Sequence, residues 1–123
     1  MKTRPISWLK AARKDFERFP EGAQVEMARA LTIIAEGGHP DIAKPLRGFG
    51  GAEVLEVVDD FDGDTFRAVY TVKFAEVVYV LHAFQKKSRK GVATPKSELD
   101  VITLRLARVK KDYEEWLKHH RSR

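Results

Sequence analysis

Hydrophobic positions recur along this chain with two different periods, and the change between them divides it into three parts. Trp8, Ala12, Phe16 and Phe19 follow one another at spacings of four, four and three, which places them on one face of a helix over residues 8–19. A short strand over residues 4–9 leads into it, and Ser7 is placed to cap it. Pro20 punctuates, a residue well tolerated in the first turn of a helix. A second helix is predicted over Glu21–Glu36 with Val25, Ala28, Leu31, Ile34 and Ala35 turned inward. Gly37-Gly38 closes it, because glycine accepts the left-handed conformation of a helix end. The two segments read as a helical hairpin.

Residues 39–53, with Pro40, Pro45, Gly48, Gly50 and Gly51, read as irregular. The period then becomes two. Val54–Asp60 is strand-like, and Asp60-Phe61-Asp62-Gly63-Asp64 is a turn by its Asp-Gly content. Thr65–Phe74 is rich in strand formers, Ala75-Glu76 is a tight connection, and Val77–Gln85 is the most apolar strand and is placed centrally. Residues 86–95 form a basic loop. Thr94 as cap and Pro95 as first helical residue open the last helix, with Glu98 in its first turn. Leu99, Ile102, Leu106, Val109, Tyr113 and Trp116 then make a stripe of about five turns. The end, His119 to Arg123, is expected to fray. The predicted class is α+β: an N-terminal helical hairpin, an antiparallel β-meander sheet and a long C-terminal helix, in a single domain over residues 1–123.

Composition narrows the chemistry. The chain has 123 residues, a hydrophobic share of 43%, and 23 Lys+Arg against 18 Asp+Glu, for a formal charge of +5. The excess suits a polyanionic partner, and it is concentrated late in the chain. There is no cysteine, so disulfide scaffolds, thiolate zinc sites, iron–sulfur clusters and cysteine nucleophiles are excluded. No run approaches the roughly 18 apolar residues of a membrane span, and the first residues carry no apolar core of signal-peptide length. A cytoplasmic protein without a membrane partner is expected.

Alternate residues of a strand share a face. On Thr65–Phe74, the set Phe66, Ala68, Tyr70 and Val72 suits a core, and Thr65, Arg67, Val69, Thr71 and Lys73 point the other way. On Val77–Gln85, Tyr79, Leu81 and Ala83 form one set, and Val78, Val80, His82, Phe84 and then Lys86 the other. Arg67, His82, Phe84 and Lys86 thereby meet on one open face. These are the groups that bind and cleave a phosphodiester without a metal. A 2′-hydroxyl must lose a proton, the leaving 5′-oxygen must gain one, and the phosphorane oxygens need cations. Arg67 offers a bidentate fork, Lys86 and Lys87 add charge, His82 is a candidate acid or base, Phe84 is a candidate to stack a base, and Glu56 is the other candidate base.

Each residue also has a structural reading. Arg67 pairs equally well with Asp60, Asp62 or Asp64 around the hairpin. His82 is as readily a hydrogen-bonded structural residue, Phe84 a core residue, Glu56 an exposed strand carboxylate, and Lys86–Lys90 a solvated loop. His119-His120 lacks companion ligands, so no metal site is expected there.

At these residues the sequence resembles the RelE/ParE toxin superfamily, in its HigB-like, phage-derived branch. The matching pieces are the helical hairpin, Lys44-Pro45-Leu46-Arg47-Gly48, Leu55-Glu56-Val57, Phe66-Arg67-Ala68-Val69-Tyr70, Val78 through Lys87, and Thr94-Pro95-Lys96 before the last helix. The resemblance implies a toxin of a type II toxin–antitoxin system that acts as a metal-independent, ribosome-dependent mRNA endonuclease, with a cognate antitoxin, messenger and ribosome as partners and no cofactor. It implies Arg67 at the scissile phosphate and basic roles for Lys86 and Lys87. Lys44 and Arg47 would hold RNA backbone, and Arg89 and Lys90 extend the basic loop. Many relatives have Glu-Leu-Arg on the second strand of the meander. Here the run is Glu56-Val57-Val58, so that arginine is absent, and Glu56 and His82 stand as candidates for proton transfer. The alternatives are a non-nuclease toxin that binds a protein such as gyrase, and an RNA-binding domain without catalysis.

Overall fold

The computed structural model describes residues 3–49, 53–86 and 94–121. Its elements are β1 (Ile6–Trp8), α1 (Lys10–Phe16), α2 (Glu21–Ala35), β2 (Ala43–Pro45), β3 (Val54–Phe61), β4 (Asp64–Thr71), β5 (Val78–Lys86) and α3 (Lys96–Arg121). The chain divides into two compact units between residues 93 and 94. The strands and the first two helices make one, and α3 lies in the other. The α+β class expected from the sequence holds.

The meander β3-β4-β5 forms the middle of a five-stranded sheet in the order β1-β5-β4-β3-β2. Its first hairpin turns on Asp62 and Gly63, both at positive φ, 51° and 86°. A two-residue turn of this hand matches the right-handed twist of the strands it joins. The ladder closes at Phe61 opposite Asp64 and runs back to Val54 opposite Thr71.

The second pairing carries a bulge. Val69 faces His82 and Tyr70 faces Val80, so Leu81 is an extra residue on β5. The bulge reverses the side-chain parity of β5 at that point. Val78 and Val80 lie in the same core cluster as Ala83, although simple alternation assigns them to the opposite face. The bulge is also why β5 carries His82, Phe84 and Lys86 away from the core. β4 is the middle strand, and β5 lies between it and β1.

The short strand expected over residues 4–9 is present, and a second short strand occurs where none was expected. Residues 6–8 pair in parallel with β5, through Ile6 to Val78, Ser7 to Tyr79 and Trp8 to Val80. Trp8 is therefore on a strand, and α1 starts at Lys10 with Leu9 as N-cap and no side-chain cap, not Ser7. The predicted contact along the apolar spacing survives, with the Trp8 and Phe16 rings 4.7 Å apart. The second is β2, inside the stretch read as irregular, which pairs antiparallel with β3. At a sheet edge, the missing N–H of Pro45 costs no ladder bond.

The core lies between the sheet and the two helices. Ala23, Met27, Ala30, Leu31 and Ile34 of α2 pack with Leu55, Val57, Phe66, Ala68 and Tyr70. Burial pushes the Tyr70 phenol up to about 12. Phe19 bridges from the helical turn to Phe66, rings 4.8 Å apart. The buried stripe of α2 is rotated from the one expected: Val25 is 63% exposed, and Ala28 also faces outward. Gln24 Nε2 donates to the carbonyls of Phe19 and Glu17 at 2.8 and 3.1 Å, so α2 is anchored to the preceding turn through polar bonds. Arg4 ties the N-terminal segment to the β4–β5 connection, donating to the Val72 and Phe74 carbonyls.

The α3 helix runs without a break to Arg121, so His119 and His120 are helical rather than frayed. Trp116 stacks on Tyr113 at 5.9 Å and on His120 at 4.0 Å, and the Trp116 carbonyl accepts from His120 Nδ1 at 2.7 Å. Among the described residues, no helix is long and apolar enough to cross a membrane.

The orientation of α2 predicts that Leu31→Ala costs about 2–5 kcal/mol and that Val25→Ser changes stability by at most about 0.5 kcal/mol; urea unfolding reads both. A second expectation concerns Asp59 on β3. Its carboxyl is held above the usual carboxylate range by burial, then by the charges of Glu26 and Asp60. Asp59 Oδ2 and Glu26 Oε2 are both buried without a hydrogen-bond partner. A raised folded pKa means that the protonated form stabilises, and that this contribution is lost as pH rises. Asp59→Asn is therefore expected to raise Tm at pH 7, and the gain should shrink as pH falls toward the unfolded carboxyl value near 3.8.

Candidate functional site

Cross-strand pairs share a face of a sheet, so the register turns the face opposite the helices into three rows. Lys44 of β2 faces Glu56 of β3, which faces Val69 of β4, which faces His82 of β5. The next row is Val58, Arg67 and Phe84, and the third is Asp60, Thr65 and Lys86. Lys44, Glu56, Arg67, His82, Phe84 and Lys86 are thus brought onto one face by four strands, as the sequence pattern anticipates for β4 and β5.

The face differs from expectation in how its charges are used. Arg67 Nη1 donates to Glu56 Oε1 at 2.7 Å. Glu56 sits diagonally across from Arg67, within reach of long side chains on neighbouring strands. The two side chains are 12% and 6% exposed, so this is a buried ion pair. None of Asp60, Asp62 and Asp64 takes Arg67; Asp60 accepts from Thr65 Oγ1 at 2.8 Å instead. Glu56 is likewise not the exposed strand carboxylate of the structural reading. Arg67 Nε is buried and donates to no group among the described residues.

Lys86 is buried as well. Its pKa is lowered first by burial, then by the positive charge of Arg67; Glu56 opposes the shift and Lys44 adds to it. One ammonium therefore senses three charged side chains from three other strands. His82 and Phe84, two apart on β5, stack with ring centroids 5.1 Å apart at 26°, and both are buried. The open face expected around them is closed at β5. The exposed cations lie at the other edge, where Lys44 and Arg47 flank Pro45 and Leu46. Lys87, Arg89 and Lys90 lie outside the described residues. Among the described residues, no three His, Cys, Asp or Glu side chains gather as ligands for a metal ion.

The sequence reading named these side chains but missed the strand that delivers Lys44 to Glu56. No period-two signal was available in Ala43-Lys44-Pro45-Leu46, where Ala43 and Leu46 are buried and the two residues between them exposed.

This combination of helices, sheet order and long terminal helix is the fold of RelE-type proteins. E. coli toxin RelE, in a double arginine-to-alanine mutant in the free state, superposes with a TM-score of 0.53 at 17% identity, over 67% of this chain and 82% of that one. The RelBE2 toxin–antitoxin complex of Mycobacterium tuberculosis contains a chain matching with a TM-score of 0.50, also at 17% identity, over 72% of this chain and 97% of that one. At such identities the likeness is one of fold. No curated protein matches the sequence. The chain belongs to the family described as Phage derived protein Gp49-like, whose model matches residues 14–107.

The buried pair predicts strong non-additivity. Arg67→Met alone leaves the Glu56 carboxylate buried without its partner and should cost about 3–5 kcal/mol. Adding Glu56→Gln removes the orphaned charge and should recover most of that loss in a urea-denaturation double-mutant cycle.

Proposed function

We propose that this chain is the toxin of a type II toxin–antitoxin pair, related to the HigB-like branch, and that it cuts messenger RNA at the ribosome without a metal ion. The observation that carries this reading is the convergence of Arg67, Lys86 and Lys44 around one carboxylate on a RelE-like sheet. The cleavage is an internal transesterification: O2′ bonds to phosphorus, the P–O5′ bond breaks, one proton leaves O2′ and one reaches O5′. Arg67 supplies the phosphate fork. Lys86, with its pKa lowered toward the working range, exchanges a proton at the reacting oxygens, and His82 is the second group able to do so. Glu56, engaged by Arg67, is the less available base. Lys44 and Arg47 track the RNA backbone, Phe84 backs His82, and Lys87, Arg89 and Lys90 are further basic residues assigned to RNA contact from the sequence. The proposed partners are messenger, ribosome and a cognate antitoxin, in the cytoplasm.

One observation favours a non-nuclease toxin directed at a protein such as gyrase. Val58 stands where many relatives carry an arginine, and the arginine that remains is neutralised by Glu56.

The test is primer extension on messenger after brief induction in cells, with wild type and Arg67→Lys. The lysine keeps a cation opposite Glu56 but loses the planar fork. New 5′ ends inside reading frames are expected with wild type, falling by about 10²–10³-fold with the substitution. Arrested growth with intact messenger would overturn the nuclease reading in favour of the second.

A further inference from the structure

The Arg67 fork is only half used. Nη1 is bound to Glu56 at 2.7 Å, while the buried Nε donates to no group among the described residues. A buried N–H without an acceptor is costly, and a guanidinium presents its donors in a plane suited to an oxyanion with two oxygens. Around it stand Lys86, buried and within the field of Arg67, and Lys44, in register with Glu56. Three cations thus surround one carboxylate. That carboxylate occupies the place an incoming phosphate oxygen would need at Nη1.

We propose that Glu56 is a gate on the phosphate site: its carboxylate holds the Arg67 fork until an RNA phosphodiester displaces it. This rests on the reading of the face as an RNA-binding site and assigns its regulation. In the empty protein Glu56 offsets repulsion between Arg67 and Lys86, like charges that would otherwise be expensive to bury, and the exposed Lys44 adds to the same field. On binding, the phosphate takes over that role with two oxygens instead of one. The substrate must therefore outcompete an internal anion, which lowers affinity for isolated anions. It favours an RNA chain whose neighbouring phosphates also reach Lys44 and Arg47. Glu56 acts through Arg67 and is a positioning residue.

The experiment is fluorescence-anisotropy titration with a fully 2′-O-methylated RNA oligonucleotide. It has no free 2′-hydroxyl and cannot be cut, so only binding is read. Glu56→Gln is expected to tighten binding about tenfold, equivalent to about 1.4 kcal/mol. Glu56→Asp keeps the net charge but shortens the reach, and it is also expected to bind more tightly than wild type, which a simple charge effect would not produce. In an Arg67→Met background, Glu56→Gln should give no comparable gain. Thermal melts of each protein establish that it is folded. Unchanged or weaker binding by folded Glu56→Gln and Glu56→Asp would overturn the gate, as would an equal gain in the Arg67→Met background. If wild type still cut messenger in cells, the gate alone would have failed. If neither wild type nor the Glu56 variants bound the oligonucleotide, the gate would fall together with the RNA-binding reading beneath it.

Discussion

The register of the β3–β4 hairpin is the constraint on which both faces of the sheet depend. A slip of one residue would move every side chain of a strand to the other face. Here it would put Glu56 and Arg67 into the apolar layer and bring Val57 and Ala68 out of it. Asp62 and Gly63 hold the register locally, because few residues accept positive φ at both central turn positions. The core holds it globally, since Leu55, Val57, Phe66, Ala68 and Tyr70 are all buried against the helical side. Turn chemistry and apolar pattern agree, as a sequence that specifies one structure requires.

The bulge at Leu81 adjusts the same constraint on the neighbouring strand. Without it, β5 could not contribute Val78 and Val80 to the core at one end and His82, Phe84 and Lys86 to the polar face at the other. One inserted residue allows a strand to serve the core and then the site. This is the kind of local irregularity that composition does not announce, because Val-Tyr-Val-Leu-His-Ala-Phe is apolar in either parity.

That explains which parts of the molecule were legible in the sequence. The meander, its Asp-Gly turn, the span of α2 and the long final helix all rest on local periodicity or turn chemistry, and they were read correctly. The face of β4 that carries Arg67 was read correctly too, because alternation there is unbroken. What escaped depends on distant partners. Ala43–Pro45 becomes a strand only because β3 lies beside it. Val25 and Ala28 fit an apolar stripe in sequence, but the sheet selects the stripe through Ala23, Met27, Ala30 and Ile34 instead. The partner of Arg67 was misread for a similar reason. Three aspartates near it in the turn were weighed as partners, yet the diagonal geometry of adjacent strands favours Glu56.

The buried ion pair also bears on how this face came to tolerate its own chemistry. Like charges clustered in a buried place destabilise a protein. An arginine on the second strand would have added a further charge. At Val58 that position is apolar, and Glu56 beside it supplies the opposite charge. The pairing of Arg67 with Glu56 reduces the repulsion felt by Lys86, whose pKa is nevertheless lowered, first by burial and then by Arg67 and Lys44. The stability of this face therefore rests on a single side chain, the Glu56 carboxylate that holds Arg67.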